Sequence, residues 1–264
     1  MRQHFPTEFV YQVFSLLIAF ILVHALYVTL IRPQAEVFLE REAAQLQADP
    51  AYVPQRSFYV VIKDYEQEAC FVLMLWAFSI LGYKGRAAWR QQKLLEQDLL
   101  QLPDNLPVGP EDTRGLIARL QSLPAPLQDY LLPRALLSAV ERFNATRNVQ
   151  NVSTAARDLC DSEGERLESE LSTIRYIAWA IPSVGFIGTV RGIGDALGQA
   201  HRAVEGDITG VTASLGVAFN STFIALVISI VLMFFIHQLQ LMQERLVLDS
   251  ERYVDRWLVR RLQT

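Results

Sequence analysis

Two stretches of this 264-residue chain place polar groups where an apolar setting makes them costly. From Ile208 to Ile236 run 29 residues without a formal charge, and among them lie Thr209, Thr212, Ser214, Asn220, Ser221 and Thr222. A Ser or Thr hydroxyl in an apolar helix can bond to the carbonyl one turn back, so each one alone has a bland explanation. Asn220 satisfies itself less easily. Beside Ser221 and Thr222 it marks a polar surface that faces a partner or a hydrated cavity. The second stretch, Ile181 to Gly194, holds four glycines within ten residues. Gly185, Gly188 and Gly192 share one helical face at i, i+3 and i+7, and small residues in lipid let helix backbones approach closely. That face reads as a helix-packing surface. Pro182 removes one backbone hydrogen bond there and can bend the helix. Arg191 and Asp195 lie one turn apart near the outer end of this stretch, so an i, i+4 ion pair at the interface and a gate are both open readings.

Other chemistries find little support. The histidines, His4, His24, His201 and His237, are scattered, and no Ser-His-Asp arrangement occurs. Gly192, Gly194 and Gly198 do not have dinucleotide-loop spacing, and no strand precedes them. Cys70 and Cys160 are far apart and suggest neither a disulfide framework nor a metal site. An enzyme, a metal and a bound cofactor are therefore not expected. The net charge of −4, with no strongly basic run, gives no reason to expect nucleic acid.

These residues must be carried by elements that suit lipid. The chain is 51% hydrophobic and only 20% charged, too apolar for an ordinary soluble protein of its size. About 20 apolar residues cross a bilayer as a helix. Val10 to Ile31, Ala69 to Tyr83, Tyr176 to Val190 with its continuation, and Ile208 to Ile236 meet or approach that length. The first has no cleavage-site pattern and reads as an uncleaved span. The expected fold is an all-α integral membrane protein with about four transmembrane helices, a helical cytoplasmic domain and a helical C-terminal extension. The expected organisation is residues 1–31 as N-terminus and first span, 32–68 outside, 69–83 as second span and 84–173 as cytoplasmic domain. Residues 174–200 form the third span, 201–207 an outer link, 208–236 the fourth span and 237–264 a cytoplasmic helix. Lys84, Arg86, Arg90, Lys93, Arg175, Arg245 and Arg252 flank the spans on one side, which the positive-inside rule makes cytoplasmic. Both termini are then inside.

Between the spans, prolines punctuate the pattern. Ala35 to Ala48 reads as helix, broken at Pro50 and Pro54. Gly85 to Leu102 reads as an amphipathic helix, followed by a turn-rich linker at Pro103, Pro107 and Pro110. A short helix follows over Glu111 to Leu123, and Pro124, Pro126 and Pro133 break the chain again. Arg134 to Ala180 has no proline and one glycine, Gly164, and reads as one long helix. Beyond the last span, Leu239, Met242, Leu246 and Tyr253 fall near heptad spacing. They fit a cytoplasmic bundle in an oligomer, or an amphipathic helix lying on the membrane.

The stretch Gly185-Phe-Ile-Gly-Thr-Val-Arg-Gly-Ile resembles the G-x-x-G-T-V-x-G-[IM] signature in the penultimate span of MotA/TolQ/ExbB proteins. Gly216-Val-Ala-Phe-Asn-Ser-Thr-Phe-Ile-Ala is similar to their last-span pattern. The resemblance covers about residues 174–240, and the four-span order is closer to MotA than to the three-span ExbB and TolQ. It implies a homopentamer in the bacterial inner membrane around two copies of a single-span partner resembling MotB, ExbD or TolR. That partner helix supplies an essential Asp, and H⁺ or Na⁺ passes between the Asp and polar residues of the last two spans. By motif position Thr189 and Thr222 match the family's two pore threonines, and Asn220, Ser221 and Ser214 join them as candidate ion-pathway residues. A hydroxyl both donates and accepts, so it can hold a loaded Asp or help bind a partly dehydrated cation. Two departures matter. ExbB and TolQ carry a Glu five residues before the last-span Thr, where this chain has Val217. Arg191 stands where the family usually has an apolar residue. With no acid of its own between Ile208 and Ile236, the chain needs the partner's carboxylate. The alternatives are a stand-alone transporter or channel, which would need its own carboxylate at mid-membrane, and a non-conducting scaffold, which would leave the hydroxyl cluster without a reason.

Overall fold

The computed structural model describes residues 7–49, 52, 55, 57–100 and 108–262. Pro50, Pro54, Pro103, Pro107 and His4 lie outside the described residues. In chain order the helices are α1 (Thr7–Leu26), a π-helical turn (Tyr27–Ile31), α2 (Arg32–Ala48), α3 (Phe58–Ile62), α4 (Tyr65–Leu94), α5 (Thr113–Gln121), α6 (Ala125–Gln128), α7 (Leu131–Thr146), α8 (Val149–Glu170), α9 (Ser172–Gly198), α10 (Ala200–Val204) and α11 (Thr209–Trp257). Among the described residues there is no strand, and one isolated parallel bridge joins Val108 to Leu262. Four helical stretches are long and apolar enough to cross a membrane: Glu8–Ala48, Tyr65–Leu94, Val149–Gly198 and Thr209–Arg261. The chain is an all-α membrane protein. It divides into two compact units, Met1–Leu81 with Thr173–Ile236, and Gly82–Ser172 with His237–Thr264.

In the first unit, α1 buries a single stripe. Ser15, Ala19, Val23, Tyr27, Ile31 and Ala35 are all buried, each four residues after the last, while Phe14, Leu17, Ile21 and Leu22 are exposed. Exposed apolar side chains on such a helix suit lipid rather than water. A step of four advances about 40° around an α-helix, so an uninterrupted stripe would drift. The π turn holds an extra residue and takes back part of that drift. Polar contacts fix α1 to α4: Trp76 Nε1 donates to the Gln12 carbonyl at 2.9 Å, and the Tyr11 and Ser79 hydroxyls meet at 2.7 Å. At the start of α4, Glu68 accepts from Arg32 and lies 2.7 Å from His24 Nδ1. A buried carboxylate in an apolar unit needs such partners.

The second unit has its own apolar core, in which Leu132, Leu136, Phe143, Val152, Val254 and Leu258 are buried together. Leu239, Leu246 and Tyr253 are buried as well. The expected single helix from Arg134 to Ala180 is three helices instead, α7, α8 and α9. Arg147 takes a left-handed conformation (φ 47°) that ends α7. The Asn148 side chain then caps α8, accepting from the Gln150 and Asn151 amides at 2.9 and 3.4 Å. A second interruption falls at Leu171. Turn and cap chemistry did the breaking without proline or glycine. Pro133, expected to break the chain, sits in the first turn of α7, where its missing N–H has no intrahelical acceptor to lose. The helix expected to reach Leu102 ends at Leu94. The turn after it is fastened by Tyr253, whose hydroxyl donates to the Gln97 carbonyl at 3.1 Å and accepts from the Leu99 amide at 3.2 Å. Cys160 is fully buried, and burial first, then the nearby acids, push its thiol up to about 11, which leaves it unreactive.

Candidate ion-path site

The site lies on the seam between α9 and α11, both within the first unit at these positions. The spacing of Gly185, Gly188 and Gly192 gives α9 a bare face, and α11 rests on it. A Cβ on Gly188 would lie 2.5 Å from Ser221 Cβ and 2.6 Å from Ser221 Oγ, and one on Gly192 would lie 2.7 Å from both the Ala218 nitrogen and the Ser214 carbonyl oxygen. A Cβ on Gly185 would collide with Ala225 Cβ. No larger residue fits at these places without moving a backbone, so the three glycines set how close the two helices come. By contrast, a Cβ on Gly194, Gly198 or Gly216 would meet nothing within 4 Å.

This closeness brings the two candidate threonines together. The Thr189 and Thr222 hydroxyls hydrogen-bond to each other. Thr189 Oγ1 also lies 3.1 Å from the Ala218 carbonyl oxygen and 3.4 Å from that of Gly185, and Thr222 Oγ1 lies 3.1 Å from the Gly185 carbonyl oxygen. Each hydroxyl has one proton to give. Two short chains of hydrogen bonds are therefore available. Thr189 can donate to Thr222 while Thr222 donates to Gly185, or Thr222 can donate to Thr189 while Thr189 donates to Ala218. The pair has two proton settings on one set of heavy atoms. Both threonines are half-buried.

The other candidates are placed differently. Ser221 is fully buried, its hydroxyl donating to the Val217 carbonyl at 2.8 Å on its own helix while its side chain fills the space over Gly188. Ser214 sits nearer the α10 end and accepts from Gln199 Nε2 at 3.1 Å. Asn220 is half-buried, and among the described residues nothing hydrogen-bonds its side chain. An amide in an apolar helix without a partner among the described residues suits an interface.

Arg191 makes the i, i+4 pair with Asp195 and has a closer partner besides. Its main partner is not Asp195, whose carboxylate lies 3.8 Å away and is 57% exposed, but Glu66 at the start of α4. The guanidinium grips that carboxylate at two points, Nε to Oε1 at 2.7 Å and Nη2 to Oε2 at 2.8 Å. Glu66 is 11% exposed, and its Cγ would lie 3.1 Å from a Cβ on Gly188, so the same bare glycine leaves room for it. Sequence reasoning missed Glu66. The signal available was an arginine in an apolar helix, which needs an acid from somewhere, and the pair Glu66 and Glu68 just ahead of the second apolar run. Helical spacing relates residues of one helix only, so it pointed to Asp195. Among the described residues no group of three or more His, Cys, Asp or Glu could hold a metal ion.

The model of the MotA/TolQ/ExbB proton channel family matches residues 128–252, a stretch that contains the whole α9–α11 seam. No curated protein and no solved structure matches the chain.

Proposed function

We propose, from the match of residues 128–252 to the model of the MotA/TolQ/ExbB proton channel family, that this chain is a member of that family and the channel-forming subunit of an ion-driven inner-membrane motor. Five copies surround two copies of a single-span partner, and ion flow through the complex drives rotation or force. The observation that carries this reading is the Thr189–Thr222 hydroxyl pair, held at mid-helix by glycines too tightly packed to be anything else. A hydroxyl pair with two carbonyl acceptors can take a proton arriving on one side and release one on the other. It cannot store the charge, because α11 has no acid between Ile208 and Ile236 and the nearby Glu66 is already held by Arg191. The carboxylate that carries the ion therefore comes from the partner helix, and Asn220, whose side chain has no hydrogen-bond partner among the described residues, is the natural contact for it. The basic residues flanking the spans support a cytoplasmic location for both termini.

Two measurements test this. Native mass spectrometry of the detergent-purified chain, alone and with its single-span partner, should show a pentamer that takes up two partner copies, and a monomer or dimer would sink the assembly. Proton flux into proteoliposomes of the complex should fall at least about tenfold in Thr189→Ala and Thr222→Ala, a conservative floor beside the roughly 10²–10⁴-fold that a positioned proton-transfer group typically supplies, with assembly intact. Wild-type flux in both variants would remove the threonines from the path.

A further inference from the structure

Arg191 is a fixed positive charge two residues beyond Thr189 on the same helix. At about 100° per residue the two side chains leave α9 on opposite sides. The contacts agree: Thr189 bonds across to Thr222 on α11, whereas Arg191 is held by Glu66 on α4. Guanidinium is charged at any relevant pH. Left free it is a long, flexible cation near a path for cations, in surroundings where charges act over longer distances than in water. The two-point grip cancels that charge and also fixes its direction. The arrangement is built from both sides, because Gly188 both admits α11 and makes room for the Glu66 stem. Asp195 adds a weaker, more exposed second carboxylate.

We propose that Glu66 is a positioning residue for ion passage: it clamps Arg191 against α4 and so keeps its positive charge neutralised and turned away from the Thr189–Thr222 pair. This rests on the ion-path reading above. A purely structural salt bridge would serve the fold equally through either partner. A screening role is asymmetric, since only the loss of the acid leaves a cation to repel cations. Glu66→Gln should therefore lose flux, Arg191→Gln should not, and removing the arginine should rescue the loss.

The test is proton flux into proteoliposomes holding the chain co-purified with its native single-span partner, read with an entrapped pH-sensitive dye at matched protein content. Glu66→Gln is expected to conduct at least about tenfold more slowly than wild type. Arg191→Gln and the double variant Glu66→Gln/Arg191→Gln are expected within about threefold of it. Equal loss in both single variants with no rescue in the double would overturn the proposal in favour of a structural pair, and so would wild-type flux in Glu66→Gln. Should Glu66→Gln fail to accumulate, Asp195→Arg adds a positive charge at the same end from an exposed position. It should slow flux likewise, and unchanged flux there would equally overturn the proposal. Thr222→Ala is run in parallel. If it and Thr189→Ala both conduct at the wild-type rate, the ion-path reading itself has failed, whereas a Thr222→Ala slowed at least about tenfold beside a fully active Glu66→Gln discards the screening role alone.

Discussion

At the scale of single residues, the seam is governed by what is missing from side chains. A leucine at Gly188 would have to displace Ser221, whose Cβ and Oγ lie within 2.6 Å of where a first carbon would go. Overpacking of this kind typically costs about 1–3 kcal/mol, and here it would also push α11 off Thr189 and crowd Glu66. Gly188→Leu should therefore lower the thermal unfolding midpoint of the detergent-solubilised chain. Gly194→Ala is the contrasting case, since a Cβ there meets nothing within 4 Å. It should leave the midpoint unchanged or raise it, because alanine is favoured over glycine in a helix by about 1 kcal/mol. Equal destabilisation by both would mean that helix propensity, not close approach, explains the glycines. The glycine spacing was legible in the sequence, and the structure puts α11 on that face. The partner of Arg191 was not legible. A salt bridge between residues 125 positions apart depends on how α4 is placed beside α9, and no periodicity within either helix contains that.

At the scale of elements, α7 and α8 show how a chain turns without proline or glycine. Arg147 pays a conformational cost of about 1–2 kcal/mol for its left-handed backbone, and Asn148 offsets it by satisfying two amides at the start of α8. Asn148→Ala should cost about 1 kcal/mol. Arg147→Gly should be neutral or stabilising, because glycine accepts φ 47° without a Cβ clash. Chemical denaturation of both variants checks this, and a destabilised Arg147→Gly would show that the arginine side chain contributes more than its backbone costs. Reading breakers from proline and glycine alone gave one helix where there are two turns, at Arg147 and Leu171. Asn148 followed two residues later by a polar run was the available cue. It was weak because asparagine is common on polar helix faces as well as at caps.

At the scale of the whole molecule, the four apolar stretches were legible because length and composition alone decide whether a helix can cross a membrane. The second unit was less so. It combines Gly82–Ser172 with His237–Thr264, and neither segment's pattern says that Val254 and Leu258 share a core with Leu136 and Phe143. Within that unit Lys84 and Glu170 pair at 2.9 Å, with the lysine 4% exposed. Burial pushes the Glu170 carboxyl up, but the hydrogen bond and charge of Lys84, with those of Arg166, outweigh it and hold the group below its ordinary value near 4.5. A group depressed in the folded chain takes up its proton later than it would unfolded. Its contribution to stability is complete above the unfolded value and is lost as pH falls through the lower folded one. Thermal melts should show Glu170→Gln less stable than wild type at neutral pH, with the gap closing below about pH 4. A gap that persists unchanged into acid would mean that the pair stabilises by packing alone.

The π turn at Tyr27–Ile31 has a bearing on chain length. A turn that absorbs one more residue than an α-helix needs is the form an insertion takes when a helix keeps its packing on both sides. The buried positions before it, Ser15 to Val23, and the one after it, Ala35, remain on one buried stripe because the surplus is confined to five residues. Related chains one residue shorter at this point are expected to run straight through as α-helix, with the flanking segments aligning without any other gap. In this first helix, a difference of a single residue between relatives would then be a change of local winding and not a shift of everything upstream.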